Sequence, residues 1–173
     1  MKPVAIVGNH PKTFGVPYGN KDIDIWGMNL GAYSRDDFDA IIEIHTMKYM
    51  LDTRPPIYFA WLEQQTIPVY SREKICERSV PYPFEEVYNL TKRVNFNGDK
   101  LRFFGSTVDY CIALAILQKR PVISLHGIEM RNDTEYGMQR ESFCFWTGMA
   151  AGNGIKLEII GSNDIFKKPL YGE

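Results

Sequence analysis

The sequence predicts an α/β protein, a Rossmann-like three-layer sandwich with a mostly parallel sheet. Short and continuously apolar runs, such as Val4–Val7 and Ala40–Ile44, are typical of parallel strands that helices cover on both faces. Other segments have apolar residues that recur at helical spacing, as between Val108 and Ile116. Because strands that alternate with helices imply right-handed crossovers, we expect the strands to form one parallel sheet.

Each predicted strand is a short apolar run bounded by residues that favour turns. In chain order, the predicted strands cover residues 4–7, 23–26, 40–44, 67–70, 101–104, 122–125 and 156–160.

Three helices are predicted from spacing and from residues that begin or end helices. Aromatic residues at helical spacing indicate the first helix, over 56–64. Ser106 or Thr107 caps the second helix, and the basic residues that start at Lys119 suit its C-terminus. The third and longest helix starts at Asp133 or Thr134, runs to about Ala151 and ends at a glycine-rich turn.

With 173 residues and no linker-like tract, the chain is predicted to be a single domain, 1–173. Residues 71–100 are its least regular part, an insertion that contains Pro81 and Pro83 and a turn-like NFNGDK segment. We expect so small a chain of this class to form a homo-oligomer.

Composition argues against several classes of partner. Lysine and arginine (20) nearly balance aspartate and glutamate (21), without the basic excess of proteins that bind nucleic acid. No apolar run reaches the roughly 18 residues that a membrane-spanning helix needs. Cys76, Cys111 and Cys144 lie far apart without a CxxC pair, as expected of free thiols in a reducing compartment. We therefore expect a cytoplasmic protein that needs no metal and no cofactor.

All three histidines of the chain follow predicted strands. His10, His45 and His126 come after three different apolar runs, and the carboxyl ends of parallel strands lie at one edge of the sheet. Because imidazole titrates near neutral pH, each histidine is a candidate general acid or base. The alternative is that a histidine at a strand end only hydrogen-bonds a neighbouring loop. A metal site made by all three is disfavoured, because they show no ligand spacing.

The same edge carries candidates for ligand binding. Gly8 lets a ligand approach the backbone, while Asn9 and Asn29 offer amide donors and acceptors. Gly105, Ser106 and Thr107 begin a helix, where free backbone N–H groups, two hydroxyls and the helix dipole favour an anion. The alternatives are a tight turn at Gly8 and a simple N-cap at Ser106.

A third group follows the strand that ends near His126. Glu129, two residues beyond Gly127, is placed to accept hydrogen bonds from the hydroxyls of a ribose. Tyr136 and Arg140 lie one helical turn apart and can hold a phosphate or a carboxylate. The alternatives are a solvated loop acid and a surface pair between Arg140 and a neighbouring glutamate.

These motifs, in this order, resemble the fold of the bacterial lipooligosaccharide sialyltransferases and the related motility-accessory-factor domain. The resemblance rests on GNHP at Gly8–Pro11, WGMN ending at Asn29, GSTVDYCIALAI from Gly105 and HGIEM from His126. His10 stands where the family has glycine, and the last motif has glutamate where the family has aspartate. The EYGMQR and FWTGMAAGNGI stretches are also similar to short phage-encoded proteins of unknown role.

The resemblance implies a cytidine nucleotide sugar as the donor. It places Asn9 and Asn29 near the donor, and Ser106 and Thr107 at the phosphate. It also places the segment from Gly127 to Glu129 at the nucleoside, and Tyr136 at the leaving phosphate.

The sequence thus predicts a small enzyme that binds a nucleotide or nucleotide sugar and breaks a glycosidic bond to phosphate or base, as a transferase or a hydrolase. The resemblance to short phage-encoded proteins implies that the enzyme is itself phage-encoded. Two alternatives remain open: a non-catalytic module that binds or sequesters nucleotides, and an interaction protein that retains only the fold. The predicted nucleotide-binding residues are Gly8, Asn9, Asn29, Gly105, Ser106, Thr107, Gly127, Glu129, Tyr136 and Arg140.

Overall fold

The computed structural model describes residues 1–10, 15–33, 35, 37–92, 95–96, 99–128 and 136–161. Seven strands form a parallel sheet in the order β5-β4-β3-β2-β1-β8-β9, and β6 pairs with β7 in a small antiparallel hairpin. The strands are β1 (Val4–Val7), β2 (Asp24–Met28), β3 (Ala40–Glu43), β4 (Val69–Ser71), β5 (Ser79–Pro81), β6 (Asn95–Phe96), β7 (Asp99–Lys100), β8 (Val122–His126) and β9 (Lys156–Ile160).

Helices cover both faces of the sheet, so the predicted three-layer α/β sandwich is confirmed. The described helices are α1 (Met47–Thr53), α2 (Pro56–Glu63), α3 (Phe84–Asn89), α4 (Thr107–Leu117) and α5 (Tyr136–Gly152). Val87 of α3, Ile112 of α4 and Trp146 of α5 belong to one core cluster. Met50 of α1 and Tyr58 of α2 belong to a second cluster. Alternate residues of β1 enter the two clusters, as expected of a strand buried on both faces.

The strand order reverses at β1, and this reversal locates a ligand crevice. From β1 the chain builds the sheet outward to β5, and it returns to place β8 on the free side of β1. Open α/β sheets bind ligands outside the carboxyl ends of the strands at such a point, because the connections diverge there. The segments that follow β1, β2 and β8 border this crevice.

The predicted strand over 101–104 is wrong. These residues are irregular, and side chains satisfy their backbone: Trp146 Nε1 donates to Phe103 O at 2.7 Å, and Thr91 Oγ1 donates to Leu101 O at 3.0 Å. Phe104 stacks on Tyr110 with ring centroids 4.3 Å apart. This apolar run has the composition of a strand, but its backbone carbonyls accept hydrogen bonds from side chains instead of from a neighbouring strand.

The insertion predicted over 71–100 is more regular than expected. It contains β5, α3 and the hairpin of β6 and β7. Helix α1 was not predicted, although Thr46 caps it by accepting a hydrogen bond from Tyr49 N at 3.2 Å. No helix in the described part of the chain is long and apolar enough to cross a membrane.

Candidate functional site

Two predicted binding residues that lie 78 positions apart are in contact. Asn29 follows β2 and Thr107 is the first residue of α4, and Asn29 Nδ2 donates to Thr107 Oγ1 at 2.9 Å. Asn29 has a φ of 51°, a left-handed conformation that asparagine tolerates better than most residues. This contact joins the end of a strand to the start of the helix that was predicted to bind an anion.

Asn9 lies against the same turn. A Cβ atom placed on Gly31 would be 1.8 Å from Asn9 Oδ1, so the amide occupies space that only a glycine leaves open. Gly31 belongs to the 3-10 turn Asn29–Ala32, which follows β2. Asn9 and Asn29 therefore border one turn, on the side of the sheet edge where Thr107 begins α4.

The segments after β1 and β8 are joined through their backbones. Gly8 N donates to His126 O at 2.8 Å, and His10 N donates to Gly127 O at 3.3 Å. A Cβ atom on Gly8 would be 2.4 Å from Gly127 O, a distance that real Cβ atoms do not adopt. The glycine at position 8 thus lets the two segments touch, and its predicted role of admitting a ligand stays a prediction.

The start of α4 also differs from expectation. Asp109, within the first turn, has one carboxylate oxygen that accepts from Gly105 N at 2.8 Å and Ser106 N at 2.9 Å. These two amides were predicted to be free for an anion, and the helix's own carboxylate occupies them instead. Among the described residues, Thr107 N and Val108 N find no acceptor, as is usual in the first turn of a helix. An anion at this end would therefore meet the amides of Thr107 and Val108.

Asp109 itself is fully buried and further held by Ser142 of α5, whose hydroxyl donates to the same oxygen at 2.7 Å. Its other oxygen has no partner among the described residues. Burial raises the pKa of Asp109 from 3.8 to about 6, although the hydrogen bonds from Ser142, Gly105 and Ser106 oppose the rise. Neither Asp109 nor Ser142 was predicted from the sequence; the only available signal was an acid at the third position of a helix that begins with serine.

The three histidines lie in different environments. His126 is buried, and its Nε2 lies 3.0 Å from Ser124 Oγ. His10 is half-buried at the contact between the β1 and β8 segments. His45 is partly exposed, and its Nδ1 lies 2.5 Å from an oxygen of the buried Glu43. The catalytic role of each histidine stays a prediction, and the structure shows a buried carboxylate partner for His45.

The remaining candidate residues are Tyr136, Arg140 and Glu129. Tyr136 is the first residue of α5, and the half-buried Arg140 follows one turn later. Glu129 lies outside the described residues, so its predicted contact with a ribose stays a prediction. In the described ranges, no cluster of histidine, cysteine, aspartate and glutamate is arranged to hold a metal ion.

No family model and no curated protein matches the sequence. Solved structures do match. The sialyltransferase CstII from Campylobacter jejuni in complex with cytidine-5'-monophosphate aligns with a TM-score of 0.55 and 15% identity, over 92% of this chain and 80% of that chain. The fold is sialyltransferase-like.

Two further structures agree. The sialyltransferase CST-II in complex with a trisaccharide acceptor and CMP gives a TM-score of 0.53 at 14% identity, over 92% of this chain and 81% of that chain. The α-2,3-sialyltransferase from Campylobacter jejuni in its apo form gives 0.52 at 13% identity, over 92% and 75%. The resemblance read from the sequence motifs is thereby confirmed for the fold, while the similarity to phage-encoded proteins stays a prediction.

Proposed function

We propose that this protein binds a nucleotide sugar at the carboxyl edge of its sheet and breaks the bond between the sugar and the phosphate, as a glycosyltransferase or a hydrolase. The observation that carries the proposal is the contact between Asn29 and Thr107, with Asn9 against the same turn. It brings three predicted donor-binding residues together beside the point where the strand order reverses. Structures of the same fold hold CMP.

The start of α4 offers the chemistry that a leaving phosphate needs. The amides of Thr107 and Val108 lie at the positive end of the helix dipole, and the Thr107 hydroxyl lies beside them. A phosphate held there is stabilised as it takes up the electron pair of the broken bond. In the proposal, Asn9 and Asn29 contact the nucleotide part of the donor, Ser106 supports the phosphate, and Gly127 with Glu129 faces the nucleoside.

Tyr136 and Arg140 complete the proposed phosphate site from α5. A tyrosine hydroxyl can donate a hydrogen bond to a leaving phosphate, and a guanidinium can neutralise its charge. Arg140 lies one turn into the helix. Because α5 also supplies Ser142, which contacts Asp109 at the start of α4, the two helices are packed together at this end.

Replacing Asn29 with glycine tests the proposal without straining the backbone. Asn29 and Lys119 have left-handed φ values of 51° and 56°, so glycine suits both positions. We expect Asn29→Gly to weaken CMP binding about tenfold, the loss of roughly 1.4 kcal/mol of hydrogen bonding. Lys119→Gly, at the far end of α4, is the matched control and should leave the affinity unchanged. Isothermal titration calorimetry measures both.

Ligand identity is tested by a thermal-shift screen with CMP, UMP, AMP and NAD, followed by product analysis with the matching nucleotide sugars. Stabilisation by CMP and release of CMP from its sugar would support the proposal. Stabilisation without product would indicate a non-catalytic nucleotide-binding module. Equal CMP affinity in Asn29→Gly and Lys119→Gly would show that the turn after β2 does not bind the donor.

A further inference from the structure

We propose that His45 is the general base of the reaction and that the buried Glu43 is the residue that positions it. The inference rests on the proposed function, and it deepens that function by naming the group that activates the attacking hydroxyl. Glu43 is a fully buried acid in an otherwise apolar strand. It is the last residue of β3 and has no exposed surface. A buried acid is costly unless its oxygens are hydrogen-bonded, so its partners define its role.

Both oxygens of Glu43 are engaged. One lies 2.5 Å from His45 Nδ1 and accepts from His45 N at 3.2 Å, while the other accepts from Tyr58 OH at 2.8 Å. Burial and the neighbouring Glu43 carboxylate raise the pKa of Tyr58, so this hydroxyl stays a neutral donor. The carboxylate is thus fixed by Tyr58 on one side and by the imidazole on the other.

The imidazole is held in one orientation. Its ring stacks on Tyr49 with centroids 4.6 Å apart and an interplanar angle of 14°. Arg54 lies beside both rings, with Nη2 3.4 Å from His45 Nδ1 and its guanidinium carbon 5.6 Å from the Tyr49 centroid. With Nδ1 donating to Glu43, the neutral ring keeps its lone pair on Nε2, which has no hydrogen-bond partner among the described residues.

His45 also lies near the proposed donor site along the sheet edge. Strands β2 and β3 are neighbours, and Met28 is opposite Ile42. Asn29 and Glu43 are each the next residue after that pair, so the turn that borders the donor site adjoins the end of β3. The His45 side chain retains 28% of its surface exposed, whereas His126 retains 2%. His45 thus combines a partly exposed side chain with a buried carboxylate partner.

The proposed reaction is a displacement at the anomeric carbon of the donor sugar. The hydroxyl of an acceptor, either a sugar or water, gives its proton to His45 Nε2 as its oxygen bonds to the anomeric carbon. The bond from that carbon to the phosphate oxygen breaks, and its electron pair leaves with the nucleoside monophosphate. His45 becomes an imidazolium, which Glu43 stabilises through Nδ1–H, and later releases the proton to solvent.

Steady-state kinetics with CMP-N-acetylneuraminic acid, the probe chosen because structures of this fold bind CMP, tests the step. We expect His45→Ala to lower kcat about 100-fold or more while KM changes little, since a base acts in the transition state. Added imidazole should restore part of the lost rate in His45→Ala and should not affect the parent protein. A role in folding alone would not produce such a rescue.

A second pair of variants tests the positioning role of Glu43. Glu43→Gln should lower kcat at least tenfold with an unchanged CMP affinity, because the amide no longer stabilises the imidazolium. Glu73→Gln is the matched control: this exposed carboxylate accepts at 2.8 Å from the backbone N of Met47, the first residue of α1, without contacting His45 in the described structure. It should retain the parent rate.

Nuclear magnetic resonance of 15N-histidine-labelled protein gives a readout that does not depend on turnover. We expect the neutral His45 ring to carry its hydrogen on Nδ1, and we expect Glu43→Gln to abolish that preference. An Nε2–H tautomer in the parent protein, or full activity in His45→Ala, would overturn this inference alone. If the parent protein binds CMP but does not cleave the CMP sugar, the proposed function fails, and the role of His45 as base fails with it.

Discussion

Gly8→Ala is expected to lower the free energy of unfolding by about 3 kcal/mol, at the upper end of the usual cost of overpacking. The added methyl group would lie 2.4 Å from Gly127 O and 2.9 Å from the Ile128 side chain. The oxygen belongs to a backbone that is itself held, because Gly8 N donates to His126 O and His10 N to Gly127 O. To remove the clash of the added methyl group with Gly127 O, β1 and β8 would have to separate at the crevice.

Gly148→Ala is the matched control for this prediction. Gly148 is exposed within α5, and a Cβ atom there would meet no atom within 4 Å. Alanine is expected to raise the free energy of unfolding by about 0.5–1 kcal/mol, because glycine disfavours a helix interior. Urea denaturation of the two variants should show changes of opposite sign. Equal stability of Gly8→Ala and the parent protein would show that the two segments are not in the contact described here.

The sequence located the edge of the sheet where the candidate site lies, because strand ends are visible in a single sequence. Apolar runs that stop at Gly8, Gly27 and His126 were enough to place three segments at one edge. The contact between Asn29 and Thr107 follows from that placement, since α4 begins at the same edge. Long-range convergence was therefore predictable wherever a strand or helix boundary defined the position.

The sequence did not reveal how buried polar groups pair. Asp109 reads as an ordinary helix cap, yet its carboxylate takes the two amides that were assigned to a ligand. Glu43 reads as an interruption of a strand, and its pairing with Tyr58 depends on how α2 packs against the sheet. Ser142 carries no signal at all, because its contact with Asp109 exists only once α4 and α5 are packed together. Side-chain partners across elements follow from packing, which spacing along the chain does not encode.

Asp109 gives the second large prediction, a dependence of stability on pH. Its pKa is about 6 in the folded protein against an ordinary value of 3.8, and burial is the main cause. Because the folded state holds this proton more tightly than the unfolded state, the stabilisation is fully present below about pH 4 and is lost as the pH rises through about 6. The loss corresponds to a few kcal/mol at most, at about 1.4 kcal/mol per pKa unit.

Asp109→Asn isolates this effect. The asparagine oxygen can still accept from Gly105 N and Ser106 N, but the side chain has no proton to lose. Urea denaturation at pH 4.5, 5.5, 6.5 and 7.5 should show the parent protein losing stability relative to Asp109→Asn as the pH rises, most steeply between about pH 4 and pH 6 and little at higher pH. Asp22→Asn, which neutralises an exposed loop carboxylate, should show no such trend. A difference between the parent protein and Asp109→Asn that stays constant over this range would contradict the raised pKa. It would also mean that the carboxylate at the start of α4 stays charged down to pH 4.5, so that lowering the pH would not reduce its repulsion of a phosphate bound beside Thr107.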